Sequence, residues 1–173
     1  MMRSYFAHIR HRWYVYLVLT AIWMVALIRD LVSPTPWLPV LFNVTPSLPY
    51  WIVTIDYTNR YPQRGDYIVY SFEGDAVQQF PGMHHQPLFK QVAGLPGDVV
   101  TVIERHVYVN GRDVGLAKTH TITRLPLQPI APTVIPPGFY YVAGQNPDSF
   151  DSRYTISGLV AQRQILGRVT PLL

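Results

Sequence analysis

The sequence predicts a mainly β fold, an antiparallel β domain carried behind a single N-terminal apolar helix. From residue 50 onward, YWIVTIDY, DYIVYSF, DVVTVIERHVYVNG and GFYYVAG are rich in β-branched and aromatic residues, and Gly, Pro, Asn and Asp turn signals bound them. Sixteen prolines and eleven glycines interrupt helical patterns throughout the rest of the 173 residues. By contrast, residues 13–28 read WYVYLVLTAIWMVALI, apolar or aromatic at every position except Thr20.

This apolar run sets the domain organisation. Counted to Val32, it gives about 20 helical residues, enough at 1.5 Å each to cross a hydrocarbon core of roughly 30 Å. A buried core helix fits poorly because the run has no polar face. A cleaved signal peptide needs a small-residue site after the run, and IRDLVSPTP offers none of the A-x-A form. The sequence therefore predicts a cytoplasmic segment over 1–12, a transmembrane signal anchor over 13–32 and an extracytoplasmic β domain over 33–173. Arg3, Arg10 and Arg12 precede the span, whereas Arg29 alone follows until Arg60, so the positive-inside bias keeps the N-terminus in the cytoplasm. Just beyond, PTPWLPVLF supplies apolar residues either to the core or to the bilayer surface.

Within the β domain, Asn110-Gly111 is a tight-turn signal between VYV and RDV. Residues 118–137, with five prolines, read as an extended loop. The chain has no cysteine, which removes thiol catalysis, disulfides and Cys-based zinc sites. The net charge of +4 comes from scattered arginines rather than a basic face, so no nucleic-acid partner is expected. His84-His85, His106 and His120 belong to no recognisable catalytic triad, and adjacent histidines lack the spacing of a helical metal site. No metal or other cofactor is expected.

Four segments carry the chemistry: NVTPSLP (43–49), GDYIVY (65–70), FKQVAGLPGDVV (89–100) and GQNPDSFDSRY (144–154). In this set and order the chain resembles the type I signal peptidases of the S26 family, over residues 43–154 and the anchor. K-x-V-x-G-L-P-G-D followed by VYVNG and S-x-D-S-R is the specific part. The T-x-S-x-P form of the first box, where bulk enzymes usually carry Ser-Met-x-Pro, is more like the conjugal-transfer, TraF-like branch.

The resemblance implies a signal-peptidase-like β domain and a serine endopeptidase with Ser47 as nucleophile and Lys90 as general base. It places Thr45 and the Ser47 amide at the oxyanion, Ser149 as a hydrogen-bond partner orienting the lysine, and Asp151 with Arg153 as a supporting ion pair. A lysine takes a serine proton only when neutral, so Lys90 needs burial, and Phe89, Val92 and Leu95 are candidates for its apolar shell. Gly94, Pro96, Gly97 and Asp98 read as turn formers. Gln145 stands where an aspartate is frequent, which argues against a role for it or for Asp148.

The family implies a single-pass protein of the bacterial inner membrane whose partners are the lipid bilayer and an exported precursor, on the TraF-like reading a conjugative pilin. Joining of pilin ends, housekeeping signal-peptide removal and a non-catalytic scaffold of a secretion apparatus are the competing readings. A self-cleaving repressor of the LexA type shares the dyad logic but needs a DNA-binding domain.

Overall fold

The computed structural model describes residues 10–32, 36, 38–43 and 45–172, with 29–32 as backbone only. It divides into two units, residues 1–35 and 36–173. The expected cytoplasmic segment and the 33–35 start of the β domain fall largely outside the described residues.

In the first unit, α1 runs Trp13–Val32, the bounds read from the apolar run. Among the described residues no helix is long and apolar enough to cross a membrane. The described side chains of α1 end at Ile28, after about 24 Å of helical rise.

The second unit is built from eleven strands: β1 Val40–Phe42, β2 Ile52–Asp56, β3 Tyr67–Ser71, β4 Pro87–Gly94, β5 Val99–Ile103, β6 His106–Val109, β7 Arg112–Leu116, β8 Thr133–Val134, β9 Phe139–Ala143, β10 Val160–Ala161 and β11 Ile165–Pro171. Seven form one sheet in the order β1-β2-β11-β3-β4-β9-β10, and four form a second in the order β7-β6-β5-β8. All the pairs are antiparallel, as the turn-bounded β runs predict.

Because side chains alternate across a strand, single strands feed separate cores. Ile68 and Tyr70 of β3 join Val92, Tyr140, Val142 and Ile165 on one face of the large sheet. Val69, between them, joins Leu48, Val53, Ile55, Phe89 and Val169 on the other. A third cluster, with Val100, Val107, Ile135, Tyr141 and Tyr154, seats the small sheet.

The turn chemistry follows the sequence. Asn110 and Gly111 adopt φ of 48° and 78°, the left-handed pair that a two-residue hairpin turn requires, and they join β6 to β7. Asp98 closes the turn after β4, accepting from the Leu95 amide at 2.6 Å and from Asn110 Nδ2 at 2.7 Å. Residues 118–137 are mostly irregular, as expected, with the short β8 near their end.

Candidate active site

The site is assembled where the loop between β1 and β2 meets β4 and the segment after β9. Asn43 fixes that loop. Its side-chain nitrogen donates to the carbonyls of Leu48 at 3.1 Å and Tyr50 at 2.8 Å. Its side-chain oxygen accepts from the Thr45 amide at 3.1 Å and from the Thr45 hydroxyl at 2.8 Å. Leu48 is buried as an apolar peg in the core below, and Ser47, beside it, is 8% exposed.

Lys90 sits in the middle of β4, paired with Ile68 of β3. It is 4% exposed, and the described residues place no carboxylate in an ion pair with it. Burial pulls its ammonium down from 10.5 to about 8, partly opposed by the Asp151 carboxylate and reinforced by the Arg153 guanidinium. Of the apolar shell expected from sequence, Val92 shares the Lys90 face of β4 and Leu95 packs against the same cluster. Phe89, on the opposite face of the strand, packs with Leu48 and Val69 and also contributes to the same cavity wall as Lys90.

Ser47 and Lys90, 43 residues apart in sequence, line one cavity of about 510 Å³. Its walls are chiefly apolar, with Leu41, Phe80, Met83, Leu88, Phe150 and Ile156 among them, and Thr45 stands at its rim. Among the described residues no histidine lines it, and there is no cluster of metal-ligating side chains.

The segment after β9 holds the Ser47 loop from the other side. The Gln145 and Asn146 amides donate to the Ser47 carbonyl at 2.9 and 3.3 Å. Behind them, Asp151 accepts from Arg153 Nε and Nη2, both at 2.8 Å, and from the Gly144 amide, also at 2.8 Å. Arg153 Nη2 also reaches the carbonyls of Asn146 and Ser149. Asp151 and Arg153 thus form a buried pair with its hydrogen-bonding capacity widely used.

Two expected contacts are absent from this arrangement. Ser149 is buried, but its hydroxyl has no hydrogen-bond partner among the described residues, so the predicted bond to Lys90 is not made. Thr45 directs its hydroxyl proton to Asn43, which leaves the predicted oxyanion donor engaged within its own loop. In both cases a short side chain follows its local backbone: Ser149 is wedged over Gly144, and Thr45 lies two residues from an asparagine oxygen.

Sequence reading missed three contributors. Asn43 lay inside a quoted box without a role, although an asparagine ahead of a Pro-containing turn is a signal for local side-chain to backbone bonding. A Cβ on Gly144 would overlap the Ser149 side chain and stand 2.9 Å from the Ser47 carbonyl; nothing in one sequence marks that close approach. Gln145 acts through its backbone, while Asp148 pairs with Lys118 at the surface.

Comparison with known proteins follows from this geometry. The model of the family described as signal peptidase, peptidase S26, matches residues 10–173. The chain belongs to the S26 signal peptidase family. Among S26 relatives, it is 35% identical over 118 residues to a probable signal peptidase I-2 of Synechocystis, covering 68% of this chain and 50% of that one. It is 32% identical over 103 residues to signal peptidase I V of Bacillus subtilis, covering 53% and 60%. It is 31% identical over 145 residues to the conjugal transfer protein TraF of Agrobacterium fabrum, covering 75% of this chain and 80% of that one. The matches thus span about half to three-fifths of the two signal peptidases. A crystal structure of a signal peptidase I from Enterococcus faecalis aligns with a TM-score of 0.40 at 25% identity, covering 65% of this chain and 99% of that one.

Proposed function

We propose that this chain is a membrane-anchored serine endopeptidase that removes a signal or pro-peptide from an exported precursor with a Ser47/Lys90 dyad. The observation that carries the reading is the shared burial of Ser47 and Lys90 in one apolar cavity, with the lysine lowered to about 8. At that value a useful fraction of the amine is neutral near physiological pH, which a general base requires.

The neutral Lys90 amine takes the Ser47 hydroxyl proton as Oγ attacks the scissile carbonyl carbon. The resulting oxyanion is met by the Ser47 amide and by Thr45 once its hydroxyl turns from Asn43. Collapse breaks the peptide C–N bond, and the ammonium returns its proton to the leaving amine. Water, losing a proton to Lys90, then attacks the ester carbon; the ester C–O bond breaks, and Lys90 passes that proton to Ser47 Oγ. Ser149, buried with an unpartnered hydroxyl in the same segment as the lysine's electrostatic partners, is assigned to orient the base. Asp151 and Arg153 hold that segment in place. No cofactor enters any step.

The apolar α1 sequence and the arginines before it support a single-pass anchor in a bacterial inner membrane with the β domain outside the cytoplasm. The T-x-S-x-P box and the coverage of the TraF relative support a conjugative pilin as the precursor. The test incubates full-length protein in detergent with the pilin precursor of its own conjugative system and follows the products by mass spectrometry. A single Ser47- and Lys90-dependent cut is expected. Equal cleavage by Ser47→Ala would refute the dyad, and cleavage of general preproteins but not pilin would refute the substrate.

A further inference from the structure

A second concavity lies against the outer side of the nucleophile loop. It measures about 320 Å³ and is lined by Pro46, Leu48, Pro49, Tyr50 and Trp51 together with Asn43 and Thr45. Asn43 and Thr45 also line the 510 Å³ cavity that holds Ser47 and Lys90, so the two concavities share a rim. Within the loop Ser47 stands between Thr45 and Leu48, and it contributes to the larger cavity alone.

The groove is stiffly framed and still open. Asn43 ties Leu48 and Tyr50 by side-chain bonds, and its amide donates to the Trp51 carbonyl at 2.9 Å. The Tyr50 hydroxyl meets that of Tyr67 at 3.2 Å. Two prolines fix the backbone between them. Above this frame Trp51 is 77% exposed, a large apolar surface that no core-cluster side chain covers among the described residues.

We propose that this groove is the subsite for the substrate residues that follow the cut bond, and that it selects an aromatic or branched apolar side chain there. The inference rests on the endopeptidase reading above. A polypeptide lying across Ser47 extends on both sides of the bond that breaks. The larger cavity holds the acyl side, because the acyl group stays bonded to Ser47, which lines that cavity. The leaving side then crosses the shared Asn43–Thr45 rim into the groove, where Trp51 and the prolines offer stacking and apolar contact.

The same surface receives any amine that competes with water for the acyl-enzyme. In that step the amine nitrogen forms an amide bond to the acyl carbon, the ester bond to Ser47 breaks, and the amine's proton passes through Lys90 to Ser47 Oγ. An amine held in the groove gains the advantage of proximity over bulk water.

The experiment uses full-length protein in detergent micelles and peptides spanning the pilin cut site, with Trp, Leu or Gly at the first two positions after the bond. Wild-type protein is expected to favour Trp over Gly by about tenfold in kcat/KM, the scale of one apolar contact. Trp51→Ala should bring that ratio close to one. Added tryptophanamide should divert product from acid to amide more than glycinamide does, by about threefold or more, and Trp51→Ala should erase the difference. Ser47-dependent cleavage with an unchanged Trp/Gly ratio in Trp51→Ala overturns the groove assignment alone. So does an equal loss across all three peptides, which would make Trp51 a general contact with the detergent or lipid surface. Absence of Ser47-dependent cleavage overturns the endopeptidase reading and the groove with it.

Discussion

Replacing Lys90 with methionine removes the charge while keeping a long, flexible, apolar side chain in the same space. Folding lowers the lysine from 10.5 to about 8, mainly through burial, and each pKa unit corresponds to about 1.4 kcal/mol. Above 10.5 the amine is neutral in both folded and unfolded chains and carries no penalty. As pH falls through about 8 the penalty becomes complete, at about 3 kcal/mol. Lys90→Met should therefore be inactive yet more stable at pH 7 by about 3 kcal/mol, and the gain should shrink as pH rises from 8 toward 10.5. Urea unfolding of the full chain in a non-denaturing detergent, run on both proteins at pH 7 and pH 10, measures the difference directly. A Lys90→Met protein that is less stable than wild type at pH 7, or whose advantage does not depend on pH, would refute the account of Lys90 as a base made available by burial.

For wild type, cleavage should rise about tenfold per pH unit at acid pH and level off above about 8, as Lys90 deprotonates; initial rates across pH 5 to 10 test this. Lys90→Arg should be inactive at every pH in the same assay, since a guanidinium stays protonated. Arg153→Met leaves the buried Asp151 carboxylate without its partner and should cost about 3–5 kcal/mol of stability, read as a fall in the urea midpoint. Gly144→Ala should cut turnover by about tenfold or more while the protein stays folded, because the added carbon displaces Ser149 and the Ser47 carbonyl. Single-turnover rates, with circular dichroism as the control, decide that case.

The C-terminal strand shows where sequence reading stops. β11 inserts between β2 and β3, joining strands that would otherwise have no common sheet, yet QILGRVTPLL carries a glycine, a proline and polar residues that hide its β pattern. Gly167 is there because a Cβ would press on the Asp56 backbone, a contact formed by a strand more than a hundred residues away. β2, β3, β5, β6 and β9 were legible because each is a local run of β-branched and aromatic residues between turn signals. The site divides in the same way. Ser47, Lys90, Asp151 and Arg153 were legible as members of ordered boxes, whereas Asn43 and Gly144 became functional candidates only when the loop after β9 closed on the loop after β1.

The sequence by itself determined several of the strands, β2, β3, β5, β6 and β9 among them, which residue types are available for chemistry and, through the order of its boxes, the S26 family. These follow from local pattern and composition, which a chain carries before it folds. Only the tertiary structure decided that a serine and a lysine 43 residues apart share one apolar cavity, that Phe89 packs with Leu48 and Val69 while lining that cavity too, and that the Thr45 and Ser149 hydroxyls rest off the positions assigned to them. The physical reason is that burial, hydrogen-bond choice and the resulting lysine basicity depend on non-local strand pairing: Lys90 owes its low pKa chiefly to burial in β4 between β3 and β9, which Arg153 reinforces and Asp151 opposes, and none of these is adjacent to it in the chain.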